Sequence, residues 1–264
     1  MKDIVSDSAK LAGIMKTNRA NLETVPSWIS DADYENSVFN YGLPRTVRHL
    51  IDAPIGAEVT YADILALFAT SLKSDVRYLE IGVSVGKTFF QMLQFLKNAK
   101  LVALDIEDIN PILESFLEKT KSRQWSTPAS SLRKRPSSWT DYAFLPNNNS
   151  VHYLAGDVFD DATWSQLSGL RFNVVFSDAF HSGEALLREW QFIRALGLLD
   201  PAEFVMIWDD LGDSCMRAAF SEIAEEMRHS FQISPDDIGV GLCRGWLGTN
   251  EHQHPVGIVR KVAA

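Results

Sequence analysis

From Arg77 onward, short wholly apolar runs alternate with stretches whose apolar residues recur at helical spacing. Tyr78-Leu-Glu-Ile predicts a first strand, and Thr88–Leu96, with Phe89, Phe90, Met92, Leu93 and Phe95, the helix after it. Leu101-Val-Ala-Leu predicts a second strand and Ile112–Lys119 a second helix. Val151–Leu154, Phe172-Asn-Val-Val-Phe and Phe204-Val-Met-Ile-Trp predict three more strands. Helices are expected over Ala185–Leu196 and along the stripe Met216, Ala219, Phe220, Ile223 and Met227. The Gly-rich end carries two strand-like pieces, Ile238–Leu242 and Val256–Val259, that predict a closing hairpin. Strands apolar throughout and separated by amphipathic helices imply an α/β fold, a doubly wound and mostly parallel sheet covered on both faces. Such a sheet takes its ligand at the carboxyl ends of its strands.

Two regions break this rhythm. Residues 1–58 predict a helical, loop-rich extension ahead of a main domain at 59–264, with Tyr61–Leu72 helical at the junction. Residues 122–150 read as one long loop, basic at Arg123, Arg133, Lys134 and Arg135 and aromatic at Trp125, Trp139, Tyr142 and Phe144. Loops of that length are functional covers or mobile surface segments.

Composition narrows the class. The 264 residues can bury a sizeable core without staples. Cys215 and Cys243 fit neither a disulfide framework nor a zinc spacing. A net charge of −9 disfavours nucleic acid as a partner. No apolar run approaches the roughly 18 residues of a membrane span. The charged start, Met1-Lys-Asp-Ile, has no secretory character. The expectation is a soluble cytoplasmic protein with a small-molecule partner, a homodimer being the default assembly.

The first strand runs into Gly82-Val-Ser-Val-Gly-Lys-Thr88. A phosphate loop needs four residues between Gly and Gly-Lys-Thr, and here there are three. A dinucleotide fingerprint lacks its third glycine. What remains is Glu80-x-Gly82-x-Ser84-x-Gly86. It resembles motif I of the class I S-adenosylmethionine-dependent methyltransferases. That resemblance covers about residues 60–262 and implies a seven-stranded, Rossmann-like sheet binding S-adenosylmethionine, a cofactor without phosphate. It implies that Glu80 helps organise the methionine end, and that Gly82, Ser84 and Gly86 form a turn the cofactor can approach. Asp105, ending the second strand, is expected at the ribose, as in nucleotide-binding sheets generally. Gly156-Asp157 is similar to the segment that meets the adenine. Taken singly, each piece is also an ordinary turn or helix cap.

The fourth and fifth strands run into Asp178-Ala-Phe-His181 and Asp209-Asp210. Both tips open on the same crevice, so Asp178, Asp209 and Asp210 are expected to converge. Three carboxylates raise one another's pKa unless a cation joins them, and an oxygen cluster suits a hard divalent ion, magnesium first. Asp-x-x-His followed by an acidic pair resembles the metal-dependent O-methyltransferases of natural-product metabolism. It is also similar to the catechol-type enzymes, whose second paired position is usually Asn. The resemblance implies Asp178, Asp209 and Asp210 as metal ligands, Asp178 also beside the cofactor, and His181 as general base. The structural alternative makes Asp178 and Asp209 helix caps and His181 a satisfied core histidine. His252 and His254, beside Pro255, read as a solvated turn although a His-x-His pair can bind metal.

The expected function is methyl transfer to a small-molecule oxygen nucleophile. Three alternatives stay open. The same cofactor could serve cyclisation or aminocarboxypropyl transfer with release of methylthioadenosine. The glycine turn could hold a nucleotide. The fold could be a non-catalytic scaffold.

Overall fold

The computed structural model describes residues 8–29, 51–124, 137–244 and 253–263. Its helices are α1 (Ser8–Leu22), α2 (Tyr61–Ala69), α3 (Lys87–Phe95), α4 (Pro111–Glu114), α5 (Asp161–Ser165), α6 (Gly183–Ala195) and α7 (Ser214–Phe231). Its strands are β1 (Arg77–Ile81), β2 (Lys100–Asp105), β3 (Glu118–Gln124), β4 (Ser138–Phe144), β5 (Asn149–Ala155), β6 (Val174–Ser177), β7 (Phe204–Trp208), β8 (Ile238–Cys243) and β9 (His254–Lys261).

One nine-stranded sheet forms in the order β3-β4-β5-β2-β1-β6-β7-β9-β8. The run β5-β2-β1-β6-β7 is parallel, and the outer pairs are antiparallel. From β1 the chain winds outward through β2 to β5, then returns to β6 on the other side. The switch point therefore lies between β1 and β6, and their tips flank the crevice. Successive strand positions feed opposite faces, as the pleat requires. Tyr78, Leu101, Val174 and Val205 enter one apolar cluster, and Leu79, Val102, Val175 and Met206 the other.

The doubly wound, Rossmann-like architecture is as expected, with two strands more than the seven expected. The extra pair corrects the reading of 122–150 as a loop and of Ile112–Lys119 as a helix. Only Pro111–Glu114 is helical there, and Glu118–Gln124 instead pairs with β4. Its sequence, Glu-Lys-Thr-Lys-Ser-Arg-Gln, has no apolar face, so no period marks it as a strand. β4 supplies the burial through Trp139, Tyr142 and Phe144. Residues 125–136, with Trp125 and the basic run, lie outside the described residues. The closing hairpin forms as expected, with β9 inserted between β7 and β8. Among the described residues no helix is long and apolar enough to cross a membrane.

The described part of the N-terminal segment lies against α2 and α3. Trp28 packs edge-on to Phe90 at 5.4 Å. Asn110 Nδ2 donates to the carbonyls of Trp28 (3.0 Å) and Val85 (2.9 Å), pinning that segment to the glycine turn. Asp63 is fully buried in the first turn of α2. It accepts from Thr60 N (2.9 Å), Asn18 Nδ2 (2.8 Å) and Arg19 Nη2 (2.8 Å). Without Asp63 the buried Asn18 amide and the Thr60 N–H lose their acceptor, at a cost of about 1–3 kcal/mol, while Arg19 keeps the carbonyls of Gly56 and Glu58. Asp63→Ala is therefore expected to lower the free energy of urea unfolding by about that amount, and an unchanged midpoint would show that α1 does not depend on this anchor.

Candidate active site

The first corner of the mouth is the turn after β1. Gly82 has φ +82°, and a Cβ there would lie 2.1 Å from the Asp178 carbonyl oxygen. Ser84 at φ 52° and Gly86 at φ 90° continue the left-handed path. The turn is held from inside. Asp105 Oδ2 accepts from Val83 N (2.6 Å) and Ser84 N (2.8 Å), and Oδ1 from Glu107 N (2.8 Å). Gly156 N donates to the Asp105 carbonyl at 2.6 Å, bringing the β5 tip alongside. There Asp157 Oδ1 accepts from Phe159 N at 2.9 Å. Gly82, Ser84, Gly86, Asp105 and Asp157 thus meet at one corner.

Each of these residues also has an internal duty. Gly82 admits the β6 loop, and Gly86 lies where a Cβ would meet Leu113 Cδ2 at 2.6 Å. A carboxylate offers about four acceptor positions. Three at Asp105 are taken by backbone donors, so in this conformation it cannot accept both ribose hydroxyls without releasing one. Lys87, 4% exposed, is drawn inward. Burial lowers its amine to about 8 against the opposing pull of Asp52. That is the reverse of a phosphate-loop lysine, which must present its charge to the ligand.

Glu80 is 1% exposed beneath the turn. Its Oε2 accepts from Tyr78 Oη at 2.5 Å. Burial raises its pKa well above the usual range, and the charges of Asp178 and Asp105 add to the push. It lies below both corners of the mouth as a buried carboxyl.

The second corner is built from β6 and β7. Asp178 N donates to Ile81 O (2.7 Å) and Asp209 N to Ser177 O (3.0 Å), so the sheet itself sets both acids. Neither Asp178, Asp209 nor Asp210 caps a helix. Ser182 caps α6 and Asp213 caps α7. His181 lies between two carboxylates, with Nε2 3.0 Å from Asp178 Oδ1 and Nδ1 2.8 Å from Asp210 Oδ2. Asp210 adopts φ 55°, which turns it toward the ring.

A second histidine joins from the hairpin. His254 Nδ1 is 2.7 Å from Asp210 Oδ1 and 3.5 Å from Asp209 Oδ1. The reading of His254 as part of a solvated turn is therefore corrected: it opens β9 and faces the acids. The pairing of Trp208 with Gly257 carries the strand past the β7 tip, which puts His254 beside Asp209 and Asp210. His252 lies outside the described residues. Nothing in the sequence singles out Tyr61 beyond its place at the start of the junction helix. Its ring sits 5.7 Å from that of His254, and its phenol pKa is raised by burial and then by Asp209 and Asp178. Behind the mouth, Ser177 Oγ donates to the buried Glu189 Oε2 at 2.6 Å. Burial lifts Glu189 to about 7.

Burial, then the neighbouring Asp209, pushes Asp178 up to about 8, with His181 pulling against both. The hydrogen bonds to Asp178 and Asp210 raise His181 to about 11. Burial opposes the same rise at His254, and Asp209 and Asp210 still carry it to about 10. Both rings are therefore favoured as imidazolium at neutral pH while no cation is bound, His181 through Asp210 even where Asp178 keeps its own proton. A raised histidine stabilises the fold fully below its unfolded value of 6.5, and this contribution declines as pH climbs toward about 11. Histidine ring 15N signals of the ion-free protein are expected to show both rings protonated from pH 6 to 9. Midpoints near 6.5 would contradict these contacts.

The donor set fits a divalent cation. Asp178, His181 and Asp209 each offer one ligand atom within 4.8 Å of the others, and so do Asp209, Asp210 and His254. Asp209 is 4% exposed. Its Oδ1 has no hydrogen-bond partner among the described residues. A buried carboxylate oxygen whose nearest ring nitrogen stands at 3.5 Å is poorly satisfied, and a cation would remove that cost.

No family model matches the chain, and no curated protein matches it. Among solved structures it is similar to the O-methyltransferase from Bacillus cereus in complex with SAH, with a TM-score of 0.47 at 15% identity, over 88% of this chain and 92% of that one. It is also similar to precorrin-6y C5,15-methyltransferase from Geobacter metallireducens, with a TM-score of 0.42 at 14% identity, over 79% and 92%. A third is the Methanococcus jannaschii fibrillarin pre-rRNA processing protein, with a TM-score of 0.36 at 14% identity, over 72% and 68%.

Proposed function

We propose that the chain transfers the methyl group of S-adenosylmethionine to an oxygen of a small-molecule acceptor, assisted by a divalent cation at Asp178, Asp209 and Asp210. One observation carries this reading. The glycine turn with Asp105 and the acid–histidine cluster are the two sides of one mouth, in contact where Gly82 meets the Asp178 backbone. A cation held there would lower the pKa of an acceptor hydroxyl.

The chain's own residues do the rest. Gly82 to Gly86, Asp105 and Asp157 bind and orient the nucleoside side. Asp178 borders both ligands. The acceptor oxygen forms the new O–C bond, and the sulfur keeps the electron pair of the broken S–C bond, leaving S-adenosylhomocysteine. The hydroxyl proton goes to His181. While Asp178 and Asp210 are bare, that ring carries both its protons and has no lone pair to offer. It becomes a base only when other positive charge satisfies those carboxylates. Positioning of the two reactants supplies most of the acceleration.

The test is product analysis by mass spectrometry, with S-adenosylmethionine, a panel of small hydroxylated acceptors, and magnesium or chelator. S-adenosylhomocysteine with an O-methylated acceptor, suppressed by chelator, is the expected result. Methylthioadenosine as the nucleoside product would overturn methyl transfer in favour of attack at another sulfonium carbon.

A further inference from the structure

We infer that His254 is itself a ligand of this cation centre, which makes it a mixed nitrogen-and-oxygen site for a first-row transition ion rather than an oxygen-only site for magnesium. The inference rests on the proposed cation site and deepens it.

The position of His254 is set by the sheet. It opens β9, two residues from the pairing of Val256 with Gly241. Leu211 N donates to Pro255 O at 2.8 Å, which ties that strand start to the loop after β7. The Tyr61 ring, fully buried, stands edge-on against the imidazole and limits its rotation. Nδ1 is thereby aimed at one oxygen of each paired acid, 2.7 Å from Asp210 and 3.5 Å from Asp209.

The second, independent observation is the Asp209 oxygen. Oδ1 is the atom nearest His254, it is buried, and it has no hydrogen-bond partner among the described residues. With Asp210 Oδ1 it leaves two acceptor atoms and one imidazole nitrogen around a common point. Magnesium demands oxygen ligands and keeps much of its water. Imidazole nitrogen suits zinc, copper, iron and nickel, and affinity rises from manganese through iron and cobalt to nickel and copper. The paired carboxylates Asp209 and Asp210 with a ring nitrogen therefore favour such an ion over magnesium.

The test uses the full-length, ion-stripped protein titrated with manganese(II) alone as the spectroscopic probe and followed by pulsed electron paramagnetic resonance. A nitrogen hyperfine coupling is expected in the unmutated protein and lost in His254→Gln. Manganese affinity should fall at least about tenfold, the lower end of what losing even an outer partner of a metal site costs. Competition should place zinc or cobalt at least about tenfold above magnesium. Thermal melting checks that His254→Gln folds. His181→Gln, which leaves His254 in place, is the second arm and should keep the coupling. Bound manganese without nitrogen coupling, or a coupling that survives His254→Gln or vanishes in His181→Gln, overturns the assignment and leaves methyl transfer standing. Failure of the unmutated protein to bind manganese overturns it too, while S-adenosylhomocysteine binding reports separately on the function.

Discussion

Gly82→Ala is expected to disrupt the mouth more than any other single added methyl group. Its Cβ would sit 2.1 Å from Asp178 O, 2.4 Å from Asp178 C and 2.6 Å from Ala179 Cα, all backbone atoms. No rotamer change can relieve a backbone clash, so the β1 turn and the β6 loop must separate. The left-handed φ adds a separate cost of roughly 1–2 kcal/mol for any residue with a Cβ. Gly169 is an internal control, with the same φ of +82° and nothing within 4 Å of an added Cβ. Gly169→Ala should therefore lose only that backbone share. Gly82→Ala should lose at least about 4 kcal/mol in urea unfolding, in the range that marks a disrupted core or network. It should also lose nucleoside binding. Equal losses at the two glycines would mean that the two loops are not packed as described.

The second large effect is expected at Asp178. It is one of the three proposed cation ligands and holds one side of His181. Asp178→Asn keeps the shape and removes the charge. The stabilisation a cation gives the reacting oxygen is several kcal/mol. At 1.36 kcal/mol per factor of ten, that is about a thousandfold in rate. Methyl transfer should fall by about that factor, and divalent ions should stimulate it far less, with only Asp209, Asp210 and His254 left to offer ligand atoms. Stability should change only modestly, because losing the charge that holds the His181 ring is offset by no longer burying this carboxyl beside Asp209. S-adenosylhomocysteine affinity should also be nearly unchanged. A parallel collapse of stability and nucleoside affinity would make Asp178 a structural residue.

The parallel core was legible because its strands are apolar on both faces and its helices carry one apolar stripe. Glycine spacing and acids at strand tips located the mouth for the same reason: a parallel sheet puts its ligands there. What escaped was fixed by contacts distant in sequence. β3 is polar throughout and becomes a strand only against β4. His254 looked like part of a wet turn because nothing nearby tells how β9 pairs with β7. That pairing alone brings it to Asp210. Gly82 read as a concession to a ligand, and its closest neighbour is the protein's own backbone at Asp178. Asp105 was expected to face a ribose and is largely engaged in holding the turn. The resemblance implied seven strands, and the β3–β4 pair adds two where no strand period marks Glu118–Gln124.

The central claim is that an adenosine-bearing sulfur cofactor lies across this mouth between the Gly82–Gly86 turn and Asp105. Calorimetric titration of the full-length protein with S-adenosylhomocysteine tests it most directly. Saturable binding at one site per chain is predicted, weakened by Asp105→Ala, which also frees the Val83, Ser84 and Glu107 N–H groups of the turn. No binding heat from the folded protein, or an affinity indifferent to Asp105→Ala, would contradict it.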